Sequence, residues 1–145
     1  MIVEKELFMT KLNETRKIFI YLPDDYETSN KQYPVLYAFD GHNIFLDAHA
    51  TYGKAIHIQQ HIEKLGIDMI VVGQECSHVG NNRLKEYAPY SFYDPEYGSF
   101  EGQGEETMDF FVHELKPYVD DHYRTKKTRK NTFIGGSSCG GLMAL

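Results

Sequence analysis

One short run leaves this chain few ways to fold. Thr132-Phe133-Ile134 is apolar and breaks abruptly into Gly135-Gly136-Ser137-Ser138-Cys139-Gly140-Gly141, and Leu142-Met143-Ala144-Leu145 then reads as the start of a helix. Within it lies a G-x-S-x-G frame from Gly136 to Gly140. Strand, sharp turn and helix in that order form a nucleophile elbow. A serine on so tight a turn sits in a strained backbone conformation, and side chains two positions either side would collide with it. Glycine at Gly136 and Gly140 removes the collision. The turn is expected to lift the Ser138 hydroxyl clear of the sheet, at a helix N-terminus whose free N–H groups can hold a developing oxyanion.

The rest of the chain is ordinary enough to carry such a sheet. Its 145 residues suggest one domain, 1–145. Apolar residues make up 41% and charged residues 25%, as in soluble globular proteins. A net charge of −6 argues against nucleic acid or an anionic membrane as the main partner. No basic region precedes an apolar run at the N-terminus and no apolar stretch is long enough to span a bilayer, so a cytoplasmic location is expected. Cys76 and Cys139 form no disulfide framework. With no tryptophan and 11 tyrosines, much of the packing falls to tyrosines, whose hydroxyls need partners.

Residues 3 to 10 and 15 to 22 read as a hairpin turning at Leu12-Asn13-Glu14-Thr15. Val35 to Phe39 and Met69 to Val72 are continuous apolar runs, the mark of strands buried on both faces. Ala55 to Leu65 carries Ile58, Ile62 and Leu65 at helical spacing. Gln74 to Gly104 shows no period, and a loop that long is often functional. Glu105 to Tyr123 reads as a helix with Met108, Phe111, Val112, Leu115 and Val119 on one face. Pro117 leaves the carbonyl of His113 without its helical partner, so a bend is expected. Arg124 to Lys130 reads as a solvated basic connector. Alternating β and α elements with buried strands imply an α/β sheet covered by helices. Asp40-Gly41-His42-Asn43, Gly73-Gln74-Glu75 and the Ser138 elbow follow three presumed parallel strands, at the edge where ligands bind in such sheets.

Four stretches resemble the esterase D and enterochelin-esterase-like branch of the α/β hydrolases. Ile20-Tyr21-Leu22-Pro23-Asp24-Asp25-Tyr26 is similar to that family's second strand and its exit. Tyr33-Pro34-Val35-Leu36-Tyr37-Ala38-Phe39-Asp40-Gly41-His42-Asn43 is similar to its third strand and oxyanion loop. Phe110 to Val119 resembles the helix before the elbow, proline included. Gly135 to Gly141 resembles the elbow, with Cys139 where methionine is more familiar. The resemblance implies an α/β-hydrolase-like, mostly parallel sheet with flanking helices. It implies carboxylic-ester hydrolysis through an acyl-serine intermediate on Ser138, with no cofactor. The backbone N–H groups of Cys139 and of the loop at His42 would form the oxyanion hole, and Asn43 is a neighbouring candidate for substrate contact.

A serine hydrolase also needs a base and an acid to orient it, and α/β hydrolases place them after the serine in the chain. The seven residues after Ser138 include neither histidine nor acid, and all seven histidines come earlier. The expectation is therefore a partial α/β-hydrolase domain, truncated after the elbow, that lacks the triad Asp and His. The alternative is an inactive fragment serving as an interaction or assembly module. The strand Thr132 to Ile134 would be an unpaired apolar edge. The chain is thus expected to be a homo-oligomer, unstable, or dependent on a missing C-terminal portion.

Other groupings have plainer readings. His42, Asp47 and His49, or the helical pair His57 and His61, could suggest a metal site, but no signature accompanies them and polar surface histidines account for them. The Cys139 thiol is expected to pack inward. Arg83, Glu86 and Tyr87, among the aromatics of the long loop, could form a lid or acyl-pocket wall, with Arg83 and Tyr87 as substrate contacts. They could equally be an aromatic mini-core with Arg83 and Glu86 paired for structure.

Overall fold

Side-chain alternation along the central strands decides the layering. In the computed structural model, which describes residues 1–145, Ile18, Ile20, Val35, Tyr37, Phe39, Ile70 and Val72 face one side of the sheet. Phe19, Tyr21, Ala38 and Val71 face the other. Both faces are apolar, so both must be covered. One is packed by Phe110, Phe111, Leu115 and Val119, the other by Ile44, Phe45 and Ile62. Burying each such side chain contributes about 1.5–3 kcal/mol.

The main sheet has five strands in the order β1-β2-β4-β3-β7. They are β1 (Ile2–Met9), β2 (Glu14–Tyr21), β3 (Val35–Phe39), β4 (Ile70–Gln74) and β7 (Thr132–Gly135). The sheet is mixed. β1, β2 and β4 pair antiparallel, and β4, β3 and β7 pair parallel. The three expected parallel strands are therefore adjacent, and their C-terminal ends share one edge. β7 lies outermost, with Phe133 48% and Ile134 39% exposed. At the opposite border, β1 exposes Glu4, Lys5 and Glu6. No helix is long and apolar enough to cross a membrane.

Three elements differ from the sequence reading. Helix α1 runs Ile58–Lys64, three residues shorter at its start than expected, because His57 adopts a left-handed φ of 55°. Leu65 follows it, exposed rather than on the buried face. The Gln74 to Gly104 stretch is not structureless. It holds helix α2 (Asn82–Glu86) and a small hairpin of β5 (Phe92–Asp94) and β6 (Gly98–Phe100), stapled by stacked Phe92 and Phe100 rings 4.9 Å apart. The long helix is α3 (Gly104–Phe110), a π-helical turn (Phe111–Leu115) and α4 (Lys116–His122). The N–H of Lys116 bonds back five residues to the carbonyl of Phe111. That wider turn lies just ahead of Pro117, which has no N–H to give. The extra residue rotates the apolar stripe, so Phe110 is buried and Val112 is exposed.

The buried tyrosine hydroxyls mostly find the partners they need. Tyr21 donates to Glu63 at 2.8 Å, Tyr33 to Asp25 at 2.9 Å and Tyr87 to Gln74 at 2.9 Å. Tyr37 is the exception, its hydroxyl buried without a partner.

Candidate active site

The elbow forms as its glycines require. Ser138 has φ 55° and ψ −123°, a conformation costing about 1–3 kcal/mol that persists only where its surroundings hold it. A methyl group on Gly136 would fall on the carbonyl of Gly140, and one on Gly140 would stand 2.8 Å from the Cβ of Phe39. Neither obstacle can swing away, so both positions need glycine. Ser138 is exposed and caps helix α5 (Cys139–Ala144). The first turn of α5 closes through Leu142, which donates its N–H to the Ser138 carbonyl at 3.0 Å. The N–H of Cys139 belongs to the first turn, whose donors have no partner within the helix. The Cys139 side chain packs against the main core, as expected of an inward thiol.

A second tight turn stands opposite. Asp40 ends β3 with φ 56° and ψ 45°, and Gly41–Asn43 follow as one turn of 3-10 helix. Gly41 crosses over β4, where a Cβ on Gly73 would lie 2.6 Å from the Cα of Gly41. Asp40 is held by side chains from the long loop. Arg83 donates to both its carboxylate oxygens, from Nε at 2.8 Å and Nη2 at 2.6 Å. Tyr87 accepts the Asp40 N–H at 3.2 Å and passes its own hydrogen to Gln74. The Arg83 guanidinium also lies over the Tyr87 ring, and its Asp40 bonds hold it charged well above the usual arginine range. The segment that looked featureless in sequence thus anchors the β3 exit.

These pieces line one cavity of about 680 Å³ at the C-terminal ends of the parallel strands. Asp40, His42 and Asn43 follow β3, Cys76, Ser77 and His78 follow β4, and Gly135 to Ser138 lie at and beyond the end of β7. Arg83 and Tyr52 add to its walls. Of the residues singled out in the sequence, Ser138, His42, Asn43 and Arg83 meet here. Tyr87 does not; it is buried beneath the cavity with its hydroxyl bonded on both sides, so it supports rather than lines. Arg83 and Glu86 do not pair with each other. Glu86 is buried against Arg16 and accepts the N–H of Ser77 at 3.0 Å. Burial, opposed by Arg16, holds the Glu86 carboxyl above the usual carboxylate range.

The two loop amides differ in what they can offer. Asn43 already donates its N–H to the Asp40 carbonyl at 2.8 Å, and its side-chain oxygen accepts from Thr51 at 2.8 Å. His42 is 3% exposed, and its Nε2 lies 3.1 Å from the Thr51 hydroxyl. Burial lowers its pKa, with His78 and Arg83 acting in the same direction and Asp40 and Glu75 against. Nε2 of His78 is 3.0 Å from Glu75. Both cavity histidines thus have Nε2 engaged with partners other than Ser138.

The metal groupings weighed from sequence do not assemble. His57 pairs with Asp47 at 2.9 Å, and His49 with Glu4 at 3.0 Å. The structure gathers a different set, His42, Cys76 and His78. Cys76 and His78 escaped sequence reading because they follow β4 singly, in a stretch with no period. Burial, with nearby Asp40 second, pushes the Cys76 thiol up to about 12.

Known proteins resemble this chain in sequence and in fold. The model of a family described as putative esterase matches residues 9–145. The uncharacterized protein YjcH of Bacillus subtilis is 30% identical over 143 residues, covering 98% of this chain and 53% of its own length. Esterase Rv1288 of Mycobacterium tuberculosis is 30% identical over 127 residues, covering 87% of this chain and 24% of its own. An IroE-like serine hydrolase from Shewanella oneidensis superposes with a TM-score of 0.79 at 26% identity, over 99% of this chain and 45% of that one. The chain spans about half the length of YjcH and of the Shewanella hydrolase.

Proposed function

The chain belongs to the putative esterase family, and from that premise we propose that it carries the nucleophile and oxyanion hole of a carboxylic ester hydrolase acting through an acyl-Ser138 intermediate. The observation that carries the reading is the backbone of Ser138, exposed at φ 55° and ψ −123° on the rim of the cavity. The Ser138 oxygen attacks the ester carbonyl and its proton passes to a base. The carbonyl oxygen, now negative, is received by the N–H groups of Cys139 and His42. Collapse expels the alcohol, which takes up the proton and leaves the acyl group on Ser138. Water then attacks in the same manner and releases the acid. One such amide donor contributes about 3–4 kcal/mol to lowering the barrier.

The base and its orienting acid are proposed to come from outside these 145 residues. Supporting this, no histidine hydrogen-bonds to the Ser138 hydroxyl: Nε2 of His42 meets Thr51 and Nε2 of His78 meets Glu75. A small-molecule ester fits the cavity. Asn43 and Arg83 are proposed to touch it, Arg83 through the guanidinium nitrogen that Asp40 leaves free.

The test uses a fluorophosphonate probe and p-nitrophenyl acetate. With the base and acid supplied, labelling that vanishes in Ser138→Ala, with turnover above background, is the expected result; the 145 residues alone are expected to turn over weakly or not at all. Labelling unchanged in Ser138→Ala would sink the assignment. A second reading, an assembly module without catalysis, is favoured by the apolar β7 border. It predicts no labelling at all, together with oligomers by light scattering; a monomer with a cooperative melt would exclude it.

A further inference from the structure

In the same cavity, one ring nitrogen each of His42 and His78 and the sulfur of Cys76 lie within 4.8 Å of one another. We propose that these three side chains form a binding site for a thiophilic divalent cation, zinc foremost, that opens onto the cavity.

Four observations support it. The first is an unmet need. His42 is 97% buried, taking its 3% exposure, yet its Nδ1 has no hydrogen-bond partner. A buried polar atom left so costs about 1–3 kcal/mol, and a bound cation would satisfy it. The second is the orientation of both rings. Nε2 of His42 meets the Thr51 hydroxyl and Nε2 of His78 meets the Glu75 carboxylate, so Nδ1 is the nitrogen left over on each. Metal-binding histidines are commonly set in this way, the second nitrogen held by a hydroxyl, carbonyl or carboxylate. The third is chemistry. Two imidazoles and a free thiol suit zinc, and not magnesium or calcium, which take oxygen ligands.

The fourth is reach. Zinc bonds of about 2.0–2.3 Å in a tetrahedron set ligand atoms roughly 3.3–3.8 Å apart, so the site must tighten by no more than about 1.5 Å. His78 is the ligand with most room to move, its side chain 55% exposed while His42 and Cys76 are buried. Three protein ligands leave a fourth position open towards the cavity, for water or another small ligand. The Cys76 sulfur gives up its proton to solvent as the cation binds. None of this calls on the Ser138 hydroxyl.

Titration of the metal-free 145-residue protein with cobalt(II), then zinc, tests the site. Expected is one equivalent of cobalt, with a sulfur-to-cobalt charge-transfer band that zinc abolishes. Cys76→Ser should lose the band and Cys139→Ser should keep it. His78→Ala, an exposed change that spares the core, should weaken zinc binding at least about tenfold, and Thr51→Val about tenfold. Zinc should raise the melting temperature of wild type more than that of His78→Ala. Ser138→Ala should bind as wild type does, which separates this result from any result on ester cleavage. Cobalt bound without the charge-transfer band, or zinc affinity unaltered in His78→Ala, would overturn the proposal.

Discussion

The cavity is framed by two residues with positive φ, Ser138 and Asp40, and the protein accommodates them by opposite means. At Ser138 the means is vacancy. Gly136 and Gly140 are small where a methyl group would strike backbone or the Phe39 side chain. At Asp40 the means is attachment. Arg83 grips the carboxylate and Tyr87 takes the N–H. The first solution places both glycines within five residues, although the obstacle at Gly140 is Phe39 of β3. The second spans 43 residues of sequence for Arg83 and 47 for Tyr87. A turn kept by vacancy should fail abruptly when filled, whereas one kept by attachment should loosen by degrees.

The strongest way to break the contrast is to fill the vacancy. Gly136→Ala should destabilise by about 3 kcal/mol or more, because the obstacle is backbone, and should abolish probe labelling of Ser138. Urea midpoints and labelling check both. Gly135→Ala is the matched control. Its nearest neighbour would be the Leu36 Cδ1 at an ordinary 3.6 Å, so it should stay within about 0.5 kcal/mol.

Detaching the second turn should cost less. Arg83→Met leaves the mostly buried Asp40 carboxylate unpaired, and about 2 kcal/mol is expected, since Arg83 itself is 30% exposed. A double-mutant cycle with Asp40→Asn should return a coupling of about 1–2 kcal/mol. Additive behaviour would show that the ion pair does not hold the turn. Tyr87→Phe removes only the hydroxyl, and should cost about 1–1.5 kcal/mol by the same melts.

The mildest effect concerns Glu86, which secures α2, and with it Arg83, against Arg16. Its carboxyl is held above the usual range by burial, so at acid pH the fold keeps a proton that the unfolded chain has released. Its contribution is full below the unfolded value, about 4.3, and drains away as pH rises through the folded one. Stability profiles should therefore show a falling component above about pH 4 that Glu86→Gln lacks. Identical slopes would contradict it.

The same contrast explains what could be read beforehand. The elbow was legible because its cause is the local absence of side chains. The buried strands β3 and β4 were legible from unbroken apolar runs, and the shared edge of the parallel strands followed from their order. The Arg83 to Asp40 pair was not, because charge gives no hint of its partner across 43 residues, and the nearer Glu86 was the obvious choice. Val112 was misplaced because a 3.6-residue period assumes no π turn, and only Pro117 hinted at one. The β5–β6 hairpin escaped because three-residue strands are too short to alternate convincingly.

The two borders of the sheet have unequal manners towards a newcomer. Glu4, Lys5 and Glu6 make β1 a charged flank that discourages a visiting strand, while Phe133 and Ile134 make β7 hospitable. Any strand that settles there also arrives next to the rim where Ser138 stands. A strand pairing with β7 would therefore lie beside the serine, and its side chains would reach the same cavity rim.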